Sequence, residues 1–272
     1  MTILEAIFLG IIQGASEFLP ISSSGHMILV PTVFGLESPD LTVVAIAHIG
    51  TLLAVLIYFW RDLWAIGWGV LAGLQQRQPL GSTEARLGWF IVVGTIPAAV
   101  LGLTLEDYFD SIFGTPLFAA GFLLVTAVLL VAGERILSGH KTPAKMGWTD
   151  AILIGCFQAL ALLPGISRSG STIVGGLWRG LDRPTSARFS FLLSIPATAG
   201  VGLLKTIEVA QAPDLTAVLP GLIACFLAAG IVGYACIHFL MEWLKKRSLY
   251  GFAIYTASFG LIYLLVAAFQ AG

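Results

Sequence analysis

Charge is what this chain has least of. Asp, Glu, Lys and Arg make up only 11% of its 272 residues, against roughly a quarter in an ordinary soluble domain. Hydrophobic residues reach 57% and the mean hydropathy is +0.93, so lipid rather than water must solvate most of the surface. The 14 cations and 15 anions leave a formal charge of −1. No bulk field therefore draws in nucleic acid, and any anion must be held by locally placed cations. Cysteine is scarce as well: Cys156, Cys225 and Cys236 lie in apolar stretches with no CxxC pair or Cys/His cluster, which argues against a disulfide framework or a zinc site and assigns them to packing. No Lys or Arg precedes Arg61, so the cationic start of a cleaved signal peptide is missing and the first segment is expected to stay in the mature protein.

Long apolar runs are abundant. A spanning helix needs roughly 20 apolar residues, and Leu41 to Trp60, Leu87 to Leu105, Ile112 to Gly133, Phe189 to Leu204, Leu215 to Leu240 and Ser248 to Phe269 approximate that. Two further stretches, about 3–34 and 151–178, are interrupted by FLPISSSGH and LLPGISRSGST, where Pro, Gly and Ser stop a continuous helix. Twelve of the 14 cations fall in four segments: Arg61, Arg77 and Arg86; Arg135, Lys141 and Lys145; Arg179, Arg183 and Arg188; Lys245, Lys246 and Arg247. Six alternating crossings put all twelve on one face, which the positive-inside rule makes cytoplasmic. Segment 151–178 then starts and ends on that face and must be a re-entrant hairpin. Its tip should line a cavity, because non-helical backbone at membrane depth is tolerated only inside protein or against water.

The chain also repeats itself. An offset of 145 aligns 5–30 with 150–175 at nine identities over 26 positions, among them Gly10/Gly155, Gln13/Gln158, Ser22/Ser167, Ser24/Ser169 and Gly25/Gly170. Each half is a hairpin followed by three crossings. Three is odd, so the halves are inverted and the first hairpin enters from outside. The expected fold is an all-α polytopic membrane protein, a single membrane domain over 1–272, with repeat 1 at about 1–145 and repeat 2 at about 146–272. Sites in such folds lie near the midplane where the repeats meet.

Where the copies differ, chemistry emerges. Glu17 stands where the second hairpin has Leu162, and Arg168 where the first has Ser23. An ionisable group at membrane depth is costly and asks for a partner; these two can meet tip to tip, as a site or as a structural lock between repeats. Gln13 and Glu17, at i and i+4 on one helical face, together with the Ser22-Ser23-Ser24 turn and His26, suit a hard divalent cation such as Mg2+ or Ca2+ and a proton-transfer group. Gln13 is the weaker ligand, since its twin Gln158 sits where no acid follows and repeat packing explains both. Pro164 to Thr172 reads as an anion cradle for phosphate, with Ser167, Ser169 and Thr172 hydroxyls, a following helix N-terminus and the planar fork of Arg168. His48, inside an apolar run, reads as a satisfied core histidine, His140 as a loop residue and His238 as interfacial. Glu106, Asp107 and Asp110 read as a solvated external loop.

The segments QGASEFLPISSSGH and LPGISRSGST resemble the paired signature regions of the bacterial undecaprenyl-diphosphate phosphatases of the bacitracin-resistance family, and the similarity runs over essentially the whole chain. The resemblance implies an enzyme of the bacterial plasma (inner) membrane that uses a divalent metal to hydrolyse undecaprenyl diphosphate to the monophosphate, recycling the lipid carrier of cell-wall synthesis. It further implies catalytic roles for Ser23, Glu17, His26 and Arg168, with Ser167 and Thr172 on the phosphates. Family members with glutamate at the position of Gln13 carry a charge that this chain lacks. Either Ser23 attacks with His26 as base, or His26 activates water. The partners expected are a polyprenyl diphosphate and the membrane, with a homodimer left open and nucleic acid excluded. A lipid-phosphate transporter or flippase is the alternative, by analogy with transporters built from inverted repeats.

Overall fold

The computed structural model describes residues 2–35, 39–105, 115–137, 139, 141–210 and 215–271, with side chains at all of these except 41, 201, 203–210, 215–217 and 271. Eleven α-helices are described: α1 Ile3–Phe18, α2 Ser23–Val33, α3 Leu41–Tyr58, α4 Trp60–Gln75, α5 Thr83–Thr104, α6 Pro116–Ile136, α7 Trp148–Leu160, α8 Arg168–Trp178, α9 Arg183–Ala210, α10 Leu215–Leu244 and α11 Tyr250–Ala271. Among the described residues there is no strand beyond an isolated bridge between Lys141 and Leu181. Helix starts follow local chemistry. Thr2 and Glu5 form a capping box on α1, Asp40 and Ser82 accept from Thr42 N and Ala85 N at α3 and α5, and Pro116 opens α6, each satisfying or dispensing with one of the orphan donors of a first turn.

Thr83–Thr104, Pro116–Ile136, Val218–Leu244 and Tyr250–Gln270 are each long and apolar enough to cross a bilayer, and Thr42–Tyr58 joins Trp60–Gln75 through a 75° bend. The chain is an all-helical, polytopic membrane protein. Large apolar side chains point outward along these helices, Leu103, Val128, Ile231 and Phe269 among them, while the buried set includes Gln13, Glu17, His26, Ser167 and Thr172. That inversion is what a lipid solvent selects.

Two expectations are corrected. Residues 61–86, left between two of the expected crossings, carry α4, because Arg61, Asp62 and Gln75 to Arg77 break the apolar run in linear order while Trp60, Trp64 and Trp68 recur every fourth residue on one exposed face. The helix expected at Phe189 to Leu204 begins at Arg183, since Arg183 and Arg188 find carboxylates on neighbouring elements. Glu106, Asp107, Asp110, His140 and the first residues of the expected span from Ile112 lie outside the described residues, as does the side chain of Lys205.

The cationic segments do share one end of the molecule. Arg86 donates to Ala144 O (3.2 Å), Lys141 and Arg179 both pair with Asp150, Arg183 pairs with Glu134, which also accepts from Leu249 N (2.7 Å), and Arg188 pairs with Asp62.

Helix contacts cross between the halves. α1 packs on α10, α7 packs on α5, α3 packs on α9, and α6 packs on α11. Lipid tails offer no hydrophobic drive for such contacts, so backbones must approach closely through small residues. A Cβ on Gly10 would run into Cys225 O of α10, and one on its counterpart Gly155 into Gly94 O of α5. Gly14 extends the first contact, where a Cβ would stand 2.6 Å from Ala229 O and 2.9 Å from Gly233 N.

Candidate active site

The two interrupted segments form matched helix–turn–helix hairpins, α1 into α2 and α7 into α8. The same cap builds both tips. Ser22 Oγ accepts from Gly25 N (3.3 Å) and lies 3.2 Å from Ser24 Oγ; Ser167 Oγ accepts from Gly170 N (3.0 Å) and lies 3.2 Å from Ser169 Oγ. The backbone oxygens of the two caps accept from His26 N (3.2 Å) and Ser171 N (2.8 Å). The turns differ in where they need left-handed backbone: Ser22 has φ 72° in one, Gly165 has φ 97° in the other. At Gly165 glycine is required twice over, since a Cβ would also meet Ala119 O of α6.

Equivalent serines then join tip to tip. Ser24 Oγ accepts from Gly165 N (3.2 Å), and Ser169 Oγ donates to Leu19 O (3.1 Å). Thr126 of α6 braces the second tip by accepting from Ser167 N and donating to Gly165 O, both at 3.0 Å.

This docking brings Arg168, the first residue of α8, onto Glu17, the penultimate residue of α1. Arg168 Nη2 donates to Glu17 Oε1. The other carboxylate oxygen accepts from Ser23 Oγ (2.5 Å) and Gln13 Nε2 (2.8 Å). Arg168 Nη1 is buried with no hydrogen-bond partner, and so is Gln13 Oε1. The amides of Arg168 and Ser169 have no acceptor among the described residues. A buried guanidinium nitrogen left unbonded is expensive. Here it stands beside a helix N-terminus, an arrangement made to receive an anion.

The remaining predicted residues distribute unevenly. Ser167 and Ser169 are spent on the cap and the tip contact, and Thr172 donates to Arg168 O (2.7 Å) and sits 2.6 Å from Ser190 Oγ. These three hydroxyls, expected on phosphate, are engaged in shaping the turn that presents Arg168. His26 is buried on α2 with Nδ1–H donating to Ser22 O (2.8 Å), which leaves Nε2 to accept from Tyr255 O–H (2.8 Å). Its ring stacks against Phe259 and Tyr255, centroids 4.7 and 5.6 Å away. Gln158, the twin of Gln13, has neither amide atom bonded among the described residues.

Sequence reasoning missed two participants. His48, taken for a core histidine, places Nε2 3.6 Å from Glu17 Oε2, with Nδ1–H anchored on Val44 O (2.8 Å) and about a third of its side chain exposed. Tyr255 holds His26. Neither carries a local signal, except that a histidine in an apolar helix asks for a partner; the partner is visible only once α3 and α11 are packed.

As to cation binding, the orphaned Gln13 Oε1 and the adjacent Glu17 carboxylate are hard oxygen donors. No group of three His, Cys, Asp or Glu that could hold a metal occurs among the described residues. The donor set fits a cation of the magnesium kind, which takes one or two protein oxygens and completes its shell with water and substrate phosphate.

Comparison with known proteins agrees in extent with this architecture. Residues 6–262 match the family described as Bacitracin resistance protein BacA. A Chloroherpeton thalassium protein named undecaprenyl-diphosphatase is 44% identical over 274 residues, covering 97% of this chain and 96% of its own. Proteins of the same name from Pelodictyon phaeoclathratiforme and Myxococcus xanthus are each 43% identical, covering 97% and 98% of this chain and 98% and 89% of their own. Because the match covers both hairpin tips and nearly the whole chain around them, this chain belongs to the bacitracin-resistance family.

Proposed function

We propose that this chain is an integral membrane phosphatase that hydrolyses undecaprenyl or a similar polyprenyl diphosphate to the monophosphate and inorganic phosphate, returning the lipid carrier of cell-wall synthesis to use. The observation that carries the reading is the buried, unbonded Nη1 of Arg168 held beside Glu17 between two hairpin tips. A guanidinium fork with one arm on a carboxylate and the other free matches a phosphate oxygen. The relatives named above are all called diphosphatases, which favours hydrolysis over the transporter or flippase alternative.

Arg168 and the first-turn amides of α8 hold the terminal phosphate while the polyprenyl tail stays in lipid. Ser23 attacks the terminal phosphorus and its proton passes to Glu17 along the 2.5 Å bond already present. The phosphorus–bridging-oxygen bond breaks and the lipid monophosphate leaves. Water then attacks the phosphoserine phosphorus, the phosphorus–Ser23 Oγ bond breaks as Glu17 returns its proton to Ser23 Oγ, and inorganic phosphate is released. His26 lies three residues beyond Ser23, on the same face of α2, and takes the proton of that water at Nε2, the nitrogen now occupied by Tyr255. His48 holds the Glu17 carboxylate in place. A divalent cation on Glu17 and Gln13 would supply charge neutralisation at the phosphate oxygens.

The fold is read as six crossings in two inverted repeats, each opened by a re-entrant hairpin, in the bacterial inner membrane with the cationic end in the cytoplasm. The matched caps, the reciprocal Ser24 and Ser169 contacts and the paired Gly10 and Gly155 approaches support it. One chain supplies every residue of the site, so a homodimer is not needed to complete it. The test is phosphate release from a polyprenyl diphosphate by the purified chain in detergent, with and without divalent ions. Release stimulated by the ion is expected; a chain that binds the lipid and frees no phosphate overturns the reading.

A further inference from the structure

At the cationic end of the molecule a cavity of about 450 Å³, sharing no residue with the hairpin tips, opens between the start of α9 and the turn from α10 into α11, lined by Arg183, Trp243, Lys246, Arg247, Ser248 and Gly251. Its walls are fixed by side-chain contacts. Glu134 takes Arg183 Nε at 2.8 Å and Leu249 N at 2.7 Å, tying α6, α9 and the turn together. Trp243 Nε1 donates to Ser248 O at 3.1 Å, and the Arg247 guanidinium lies 4.9 Å from the centre of the Trp243 ring.

The charges do not balance. Glu134 is consumed by Arg183, and Lys245 pairs with Glu242. Lys246 and Arg247 have no carboxylate within ion-pair distance among the described residues, Glu242 acting on Lys246 only at longer range and already paired with Lys245. Three cations therefore face the cavity against one carboxylate. The first turn of α11, which contributes Gly251, adds the positive end of its dipole. An indole wall beside cations in excess of carboxylates at the end of membrane helices suits a headgroup lying at the boundary of lipid and water.

We propose that this cavity binds a phosphate-bearing anion, its source being the headgroup of an anionic lipid in the leaflet at the cationic end. The site is separate from the hairpin tips and needs no turnover, so its fate does not depend on the phosphatase reading.

Native mass spectrometry of the chain released from phosphatidylcholine nanodiscs doped with phosphatidylglycerol reads the bound lipid directly, and equilibrium dialysis against radiolabelled inorganic phosphate reads the soluble alternative. The wild-type chain should retain phosphatidylglycerol, and Lys246→Gln/Arg247→Gln should lower retention by roughly tenfold or more, each cation near a membrane surface contributing about a factor of five. Arg77→Gln/Lys145→Gln, which removes the same charge elsewhere at that end, should retain it. Phosphate binding in place of lipid, lost in the first double variant alone, would assign the same site to a soluble anion. Equal retention in all three chains, or equal loss in both double variants, would overturn the proposal, because the effect would then be absent or merely one of net charge.

Discussion

Arg168 spends one terminal nitrogen on Glu17 of the opposite hairpin and keeps the other buried and unbonded. A purely structural lock has no reason to leave that second arm free. Arg168→Lys keeps the charge and loses the fork, so turnover should fall by about 10²-fold or more while the melting temperature in detergent holds. If the pair is only structural, Arg168→Ala destabilises and Glu17→Ala restores part of the loss in the double variant. Unchanged turnover and substrate affinity in the lysine variant would remove Arg168 from the phosphate site.

Ser23 bonds to Glu17 and not to His26, which separates the two steps of the proposed reaction. Acid quenching during turnover of substrate labelled in its terminal phosphate should trap label on the chain, and Ser23→Ala should abolish both the label and turnover. His26→Gln should slow the second step and raise the trapped fraction. Turnover that persists in Ser23→Ala points instead to direct attack by water.

Metal dependence is expected to run through the first hairpin. Glu17→Gln should abolish activity or weaken it strongly and shift the divalent-ion requirement, whereas Gln13→Glu should be tolerated, since the related pattern accepts either residue at that position. A Glu17 variant with full activity and the same ion response would mean that the cation, if used, is held elsewhere.

Gly10 and Gly155 each sit against a backbone carbonyl of the other half. Gly10→Val and Gly155→Val should each destabilise by about 1–3 kcal/mol or more through overpacking, seen as a lowered melting temperature in detergent. A large effect at only one of the two would show that the halves are not held by equivalent contacts.

Sidedness is open to a direct test in a background where Cys156, Cys225 and Cys236 are replaced. Cysteines at Ser82, which caps α5 at the cationic end, and at Ser111 in the acidic segment should label from opposite faces with an impermeant thiol reagent. Labelling of both from one face contradicts the alternation of crossings.

Residues close together in the chain announced most of this chemistry. The prolines, glycines and serines at 20–25 and 164–171 cannot continue a membrane helix, so two interrupted hairpins were readable directly, and the 145-residue offset showed that they are copies. Placing Glu17 in one copy and Arg168 in the other pointed to a meeting of the tips, because a lone charge in lipid needs a partner. Helix α4 was hidden because its apolar face is written every fourth residue and interrupted in linear order by charges. His48 and Tyr255 were hidden for a different reason: each joins the site by a contact across helices, made by α3 lying against α1 and by α11 bringing Tyr255 to His26. The hydroxyls of Ser167, Ser169 and Thr172 looked like phosphate donors as a string of residue types. Packing gives each of them a partner in the protein, Gly170 N for Ser167, Leu19 O for Ser169 and Arg168 O for Thr172, while Arg168 Nη1 stays unbonded.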